Sequence, residues 1–166
     1  FDSAETAKKR FALEELGPIY TRITNPTTET LENRIAALEG GVHAVAFASG
    51  QAAETAAILN LAGTGDHIVA SPRLYGGTQT LFAITLARLG IDVTFVDNPD
   101  DPQQWAAAVQ PNTRAFYGET FANPQGDVLD IPAIAEVAHD HQVPLIVDNT
   151  VATAALVRPL KLGADV

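Results

Sequence analysis

Short runs of apolar and β-branched residues alternate with helical segments along most of the 166-residue chain, and this alternation limits the fold more than any other feature. Five runs are typical of strands, at residues 42–48, 67–70, 91–96, 114–119 and 144–147. Strands and helices repeated in this order predict an α/β domain, in which a mostly parallel sheet carries helices on both faces.

Helices are predicted at residues 28–39, 51–63, 78–89 and 131–141, with a short further helix that Pro102 opens. Residues 1–27 are less regular and are interpreted as an arm. Residues 28–166 are interpreted as one partial α/β domain, because no linker or repeat interrupts them. The chain has no methionine, begins at Phe1 and ends where another strand starts, so we expect truncation at both ends.

Composition excludes several classes of function. The formal net charge of −10 argues against nucleic-acid binding, because few cations are available to neutralise phosphates. Without cysteine the chain has neither a disulfide nor a thiolate zinc site. No apolar stretch approaches the length of a membrane span and the polar N-terminus lacks signal-peptide character, so we expect a cytoplasmic protein without membrane contact.

In open α/β sheets ligands bind beyond the carboxyl ends of the strands. This rule selects residues 49–51, 71–77, 119–123 and 148–150. The first of these, Ser49-Gly50-Gln51, joins a predicted strand to a helix, so free backbone N–H groups would face a phosphate there. A tight turn without a ligand is the alternative.

Asp148 ends a buried predicted strand, where a carboxylate is costly unless a cation offsets its charge. A protonated heterocyclic nitrogen or a metal ion would provide that charge. The four histidines, His43, His67, His139 and His141, have poor spacing for ligands, and no metal site is predicted.

Three other residues are candidates by type and position. Tyr75, beside Gly76-Gly77, is suited to stacking on a flat ligand, and Asn123 lies just beyond a predicted strand. Arg22, in the arm, is suited to bidentate phosphate binding. The alternatives are a surface turn for the tyrosine and a solvated side chain for the arginine.

The order of these segments is more specific than any one of them. Tyr-x-Arg-x-x-Asn-Pro-Thr from Tyr20 is followed by Ser-Gly-Gln-Ala-Ala from Ser49, Tyr-Gly-Gly-Thr from Tyr75, Glu-Thr-x-x-Asn-Pro from Glu119 and Val-Asp-Asn-Thr from Val147. Together they resemble the Cys/Met-metabolism family of pyridoxal-phosphate enzymes, over essentially the whole chain. The resemblance implies a fold-type I, aspartate-aminotransferase-like large domain with pyridoxal 5'-phosphate as its cofactor.

The resemblance also implies residues that bind the cofactor phosphate. Gly50 and Gln51 would bind it through backbone N–H groups. Tyr20 and Arg22 of the arm would reach the phosphate of a neighbouring subunit. This role implies a homo-oligomer, a dimer of active dimers.

Four further residues would contact the cofactor ring or the substrate. Tyr75 would stack on the ring and position the substrate, and Asp148 would keep the ring nitrogen protonated, so these two are the predicted catalytic residues. Asn123 and Thr150 would contact the ring hydroxyl or the substrate side of the cofactor.

Within the family, residues 11–30, Gln51 and residues 121–131 are most similar to the O-acetylhomoserine sulfhydrylases. That similarity implies a γ-replacement on a small amino-acid substrate in methionine biosynthesis, with O-acetylhomoserine and sulfide giving homocysteine and acetate. Cystathionine γ-synthase and γ-lyase activities are alternatives, although Gly77 stands where methionine γ-lyases usually carry a cysteine. A non-catalytic α/β phosphate-binding module is the alternative of another class.

The family's Schiff-base lysine follows a Gly-Ala-Asp-Val stretch, and residues 163–166 are that stretch. Lys161, Lys8 and Lys9 do not match the lysine's position. We therefore expect the lysine to lie beyond Val166 and the 166-residue chain to be inactive alone.

Overall fold

The computed structural model describes residues 1–166, which divide into two compact units, residues 1–46 and 47–166. The first unit contains helices α1 (Ala4–Phe11) and α2 (Pro26–Glu39). The helix predicted at residues 28–39 is confirmed and begins two residues earlier. It does so because Asn25 accepts a hydrogen bond from the Thr27 N–H and the proline occupies the first helical turn. The functional division predicted after Thr27 stays a prediction.

The second unit has the predicted order of helices and strands up to residue 148, and two short helical segments follow that the sequence did not predict. Its elements are α3 (Gly50–Leu61), β1 (His67–Ala70), α4 (Gly76–Thr80), β2 (Asp92–Phe95), α5 (Pro102–Ala107), β3 (Thr113–Glu119), α6 (Ile131–Asp140), β4 (Leu145–Asp148) and α7 (Thr153–Leu156). A π-helical segment, Leu81–Leu86, continues α4, and a 3-10 turn, Pro159–Leu162, follows α7. None of the helices combines the length and the apolar character that a bilayer crossing requires.

The four strands form one parallel sheet in the order β2-β1-β3-β4. The predicted strands at 67–70, 91–96, 114–119 and 144–147 are therefore confirmed, with ends that differ by at most one residue. In the β3–β4 register Glu119 is the partner of Asp148. Two carboxylates thus lie side by side at the carboxyl edge of the sheet.

The strand predicted at residues 42–48 is wrong. The segment forms neither helix nor strand, and Val42, Val45 and Phe47 are exposed. The Ala46 N–H donates to the side chain of Glu32 at 2.8 Å instead of to a strand backbone. An apolar run becomes a strand only where a neighbouring strand supplies hydrogen-bond partners, and the run itself carries no information about that neighbour.

Both faces of the sheet are covered, as the sequence predicts. One face packs Tyr117 of β3 against Phe82, with their ring centroids 4.7 Å apart, and against Ile58 of α3. The other face packs Phe116 against Trp105 of α5, at 5.3 Å between centroids, and against α6. Neighbouring residues of β3 pack on opposite faces of the sheet because the side chains of a strand alternate between the two faces.

The imidazole of His67 is fully buried between two hydroxyl groups. Its Nδ1 lies 2.8 Å from Thr113 Oγ1 and its Nε2 lies 2.8 Å from Thr94 Oγ1. Burial lowers the pKa of His67 below its ordinary value of 6.5, against an opposing effect of the Asp92 charge. The lowered pKa favours the neutral ring in the folded protein.

This burial predicts a pH-dependent stability. The pKa of His67 is lower in the folded than in the unfolded state, so its contribution is fully present above about pH 6.5 and is lost as the pH falls further. We expect the free energy of unfolding, measured with urea, to decrease between about pH 7.5 and about pH 5.5. The free energy of unfolding of the His67→Phe variant should decrease less over the same pH range. An equal loss in both proteins would contradict the prediction.

Candidate active site

A cavity of about 250 Å³ opens at the carboxyl ends of β3 and β4, beside the first turns of α3 and α4. This is the edge that the strand-end rule selects. The cavity is lined by Ser49, Gly50, Gln51, Glu54, Tyr75, Glu119, Phe121, Asn123, Asp148, Thr150 and Val151. Six predicted site residues are among them: Gly50, Gln51, Tyr75, Asn123, Asp148 and Thr150.

The other two predicted residues, Tyr20 and Arg22, belong to the first unit. The guanidinium carbon of Arg22 lies 5.8 Å from the centroid of the Tyr20 ring, and both residues are exposed. An arginine at this distance from a tyrosine ring makes a cation–π contact. The predicted role of this pair in phosphate binding stays a prediction.

The first turn of α3 presents unbonded donors to the cavity. Ser49 caps the helix, because its hydroxyl accepts from the Ala52 N–H at 3.2 Å and its carbonyl accepts from the Ala53 N–H at 3.0 Å. The N–H groups of Gly50 and Gln51 have no acceptor in the chain. A Cβ atom at Gly50 would meet nothing within 4 Å. This turn can accept an anion at close range.

Asp148 reaches the cavity from the end of β4. Its Oδ1 accepts from the backbone N–H of Thr150 at 2.8 Å and from the Thr150 hydroxyl at 2.5 Å. Both bonds use the same oxygen, so Oδ2 remains for a ligand. Thr150 therefore orients the carboxylate and leaves Oδ2 unoccupied.

Glu119 ends β3, and its buried carboxylate accepts from two backbone donors. Oε1 accepts from the Tyr75 N–H at 2.6 Å, and Oε2 accepts from the Asn123 N–H at 3.1 Å. Burial raises the pKa of Glu119, these two hydrogen bonds oppose the rise, and the neighbouring charge of Asp148 adds to it.

Glu54 supplies a third carboxylate, one turn into α3. Its Oε1 accepts from the Gln51 side-chain amide at 2.9 Å and from the Thr78 hydroxyl at 3.2 Å. Burial is the main cause that raises the pKa of Glu54. With Glu119 and Asp148 it gives the cavity three carboxylates, whereas no lysine or arginine lines it. Such a wall favours a ligand that brings positive charge.

Sequence reasoning did not single out Glu54 or Glu119 as site residues. Glu119 had a visible signal, since it ends a predicted strand in the same way as Asp148. The only sequence signal for Glu54 was its position, one turn after Gln51 on a helix that begins at the candidate anion site. Neither signal shows which groups donate hydrogen bonds to these two carboxylates.

The ring of Tyr75 stands beside Gly77 at the start of α4. A Cβ atom at Gly77 would lie 2.7 Å from Tyr75 Cε1 and 3.2 Å from Gln51 Cδ. Such distances are too short for a side chain unless the ring moves, and the half-exposed Tyr75 side chain has room to do so. The absence of a side chain at residue 77 therefore determines where this ring lies.

This fold and this site define a fold-type I pyridoxal-phosphate domain, and the comparisons with known proteins agree. The whole chain, residues 1–166, matches the family described as Cys/Met metabolism PLP-dependent enzyme, and it belongs to that family. The cofactor of the family is pyridoxal 5'-phosphate. The resemblance found in the sequence is thus confirmed.

Two curated relatives are O-acetyl-L-homoserine sulfhydrylases. The protein of Corynebacterium glutamicum is 81% identical over 166 residues, and that of Leptospira meyeri is 52% identical. All of this chain is covered in both comparisons, but the chain spans only 38% and 37% of the lengths of these relatives. An L-methionine gamma-lyase of Treponema denticola is 49% identical, over 42% of its length.

Two solved structures share the fold. The first is an O-acetylhomoserine (thiol)-lyase of Campylobacter jejuni that contains N'-pyridoxyl-lysine-5'-monophosphate. It superposes with a TM-score of 0.91 at 42% identity, covering 99% of this chain and 40% of the other. The O-acetylhomoserine sulfhydrylase of Wolinella succinogenes superposes with a TM-score of 0.81 at 41% identity, covering 85% of this chain and 41% of the other.

Proposed function

We propose that the protein containing this chain is a pyridoxal-phosphate-dependent O-acetylhomoserine sulfhydrylase. It would replace the acetate of O-acetylhomoserine by sulfide and release homocysteine, in methionine biosynthesis. The observation that carries the proposal is a cavity that joins two free N–H groups at one end to an acidic wall at the other. The 81% identity with the Corynebacterium glutamicum sulfhydrylase supports the choice of reaction within the family.

The lining residues fit the cofactor chemically. The N–H groups of Gly50 and Gln51 suit its phosphate, as predicted from the sequence. The free Oδ2 of Asp148 suits a protonated ring nitrogen, because a partly buried carboxylate is stabilised by an adjacent cation. The exposed face of Tyr75 suits stacking on the ring, while Asn123 and Thr150 provide polar groups beside it.

The cofactor, when bound, supplies an electron sink for the negative charge that develops at the substrate α-carbon. The residues of this chain prepare that sink. With the cofactor bound, Asp148 would keep the proton on the ring nitrogen and Tyr75 would stack on the ring, while Thr150 holds Asp148 through two hydrogen bonds. Lys8, Lys9 and Lys161 do not line the cavity, so none of them is assigned as the base.

We also propose a cytoplasmic homo-oligomer, a dimer of active dimers. In it Tyr20 and Arg22 reach the phosphate site of a neighbouring subunit. The exposure of both residues and the capacity of arginine for bidentate phosphate binding support this role.

The test uses the complete protein with O-acetylhomoserine and sulfide. We expect a visible absorption band that borohydride bleaches, and homocysteine and acetate as products in equal amounts. Cysteine replacing sulfide as the productive nucleophile would instead identify a cystathionine γ-synthase. Release of methanethiol from methionine would identify a γ-lyase. Absence of the visible band would reject all three activities.

Gly77 provides a sharper prediction about the ring of Tyr75. Gly77→Ala should displace that ring and weaken the binding of pyridoxal 5'-phosphate by about threefold to tenfold, the scale of one stacking contact. Affinity is measured by titrating the apoprotein with the cofactor. Gly76→Ala is the matched control, because a Cβ atom there would meet nothing within 4 Å. Equal affinities of the two variants would contradict the prediction.

A further inference from the structure

The three carboxylates around the cavity differ in the hydrogen bonds that their oxygens already accept. Asp148 has one oxygen left for a ligand, and Oε1 of Glu54 is shared between Gln51 and Thr78. Both oxygens of Glu119 are taken by backbone N–H groups, at 2.6 and 3.1 Å. Glu119 is therefore the one of the three that uses both oxygens, each on a different backbone N–H group.

The two donors that Glu119 binds belong to different loops. Tyr75 follows β1 and precedes α4, whereas Asn123 follows β3. Both residues line the cavity. One carboxylate thus joins two segments that are remote in sequence, and both segments carry a group predicted to contact the cofactor.

The end of β3 is in turn tied to the end of β4. The Thr120 N–H donates to the carbonyl of Asp148 at 3.0 Å, and the Thr120 hydroxyl lies 2.8 Å from Asn149 Oδ1. These bonds hold the strand end from which the Glu119 side chain projects. The Glu119 carboxylate therefore connects this fixed strand end to the two loops.

Glu119 also stands in an unfavourable place for a charge. It is buried, and its register partner is another carboxylate, Asp148. Like charges paired across neighbouring strands are destabilising. A glutamine would relieve that repulsion, but an NH2 group would replace one of the two carboxylate oxygens. Because the two N–H groups bond to different oxygens of Glu119, one of them would then face a donor instead of an acceptor.

We propose that Glu119 is a positioning residue that fixes the separation of Tyr75 and Asn123 and so sets the width of the cofactor cavity. This inference rests on the proposed function, because the width matters only if a flat ring binds between these groups. Glu119 acts through its two neighbours and does not touch the reacting atoms.

The test compares three variants of the complete protein, each converted to the apoprotein and titrated with pyridoxal 5'-phosphate. Glu119→Gln keeps the size but loses an acceptor, and Glu119→Asp keeps the charge but shortens the reach. We expect both to lower the cofactor affinity about tenfold, the scale of one hydrogen bond to a charged group. Asp140→Asn is the matched control, since it removes a charge at the exposed end of α6, away from the cavity, and should bind normally.

Two further readouts separate positioning from mere stabilisation. The induced circular dichroism of the bound cofactor at saturation should change in both Glu119 variants, because the ring lies differently. The thermal unfolding midpoint of Glu119→Gln should stay close to that of the parent protein, because the lost hydrogen bond is offset by the relieved repulsion with Asp148.

The outcomes are distinguishable. If the parent protein does not bind the cofactor, the proposed function fails. If the parent binds and Glu119→Gln binds equally well with an unchanged circular dichroism, the positioning role is overturned while the function stands. If Glu119→Asp binds normally and only Glu119→Gln is impaired, charge alone matters and the positioning role is again overturned.

Discussion

Asp148→Asn should lower the proposed sulfhydrylase activity of the complete protein by at least about 100-fold, because the group proposed to keep the cofactor's ring nitrogen protonated loses its charge. The asparagine oxygen can still accept from the N–H and hydroxyl of Thr150, so the loop geometry is preserved. Removing a carboxylate beside Glu119 also relieves repulsion. We therefore expect the thermal midpoint to be unchanged or higher while activity falls.

Activity is measured as homocysteine formed at saturating substrate, and cofactor affinity is measured separately. Asp140→Asn, at the exposed end of α6, is the control and should retain full activity. Asp148→Asn activity within a factor of two or three of the parent would refute the role of Asp148. A loss of activity together with a loss of fold would leave Asp148→Glu as the decisive variant, since it keeps the charge.

Trp105→Ala should reduce the free energy of unfolding by about 3–5 kcal/mol, the usual cost of deleting a large buried aromatic side chain. Trp105 is completely buried, contacts Phe116 and donates from its indole N–H to the Pro99 carbonyl at 3.0 Å. It lies on the face of the sheet covered by α5 and α6 and does not line the cavity. Urea unfolding of the complete protein measures the effect.

Trp105→Phe separates the two contributions. It keeps most of the aromatic packing and loses the hydrogen bond, so we expect a smaller loss of about 1 kcal/mol. Folded Trp105→Ala protein should bind pyridoxal 5'-phosphate with the parent affinity. A large loss of affinity in the folded variant would show that the two faces of the sheet are coupled, contrary to this prediction.

Local patterns in the sequence predicted the elements that local forces determine. Asp130 caps α6 by accepting from the Ala133 N–H, and the proline in the first turn is where sequence rules place it. The strand-end rule located the candidate site, because every parallel strand ends at the same edge. Tyr75, Asn123 and Asp148 line the same cavity for that reason, whereas Gly50 lines it although the segment before it is not a strand.

The features that sequence reasoning missed depend on partners remote in the chain. The run at residues 42–48 has strand composition but no strand pairing, and composition cannot report pairing. Glu119 was visible as a strand-end acid, but its two hydrogen bonds exist only because the loops carrying Tyr75 and Asn123 approach each other in three dimensions. Family motifs identify the residues that line a site, but the buried groups that position those residues become visible only in the three-dimensional structure.

The pairing of Glu119 with Asp148 in the β3–β4 register limits which changes of chain length this fold can accept. Strand side chains alternate between faces, so one residue inserted within β3 would turn Glu119 toward the apolar layer of Trp105 and α6. The same insertion in the exposed turn at residues 124–127 would leave both carboxylates in place. We therefore expect homologous proteins to vary in length in that turn and to keep the length of β3 unchanged.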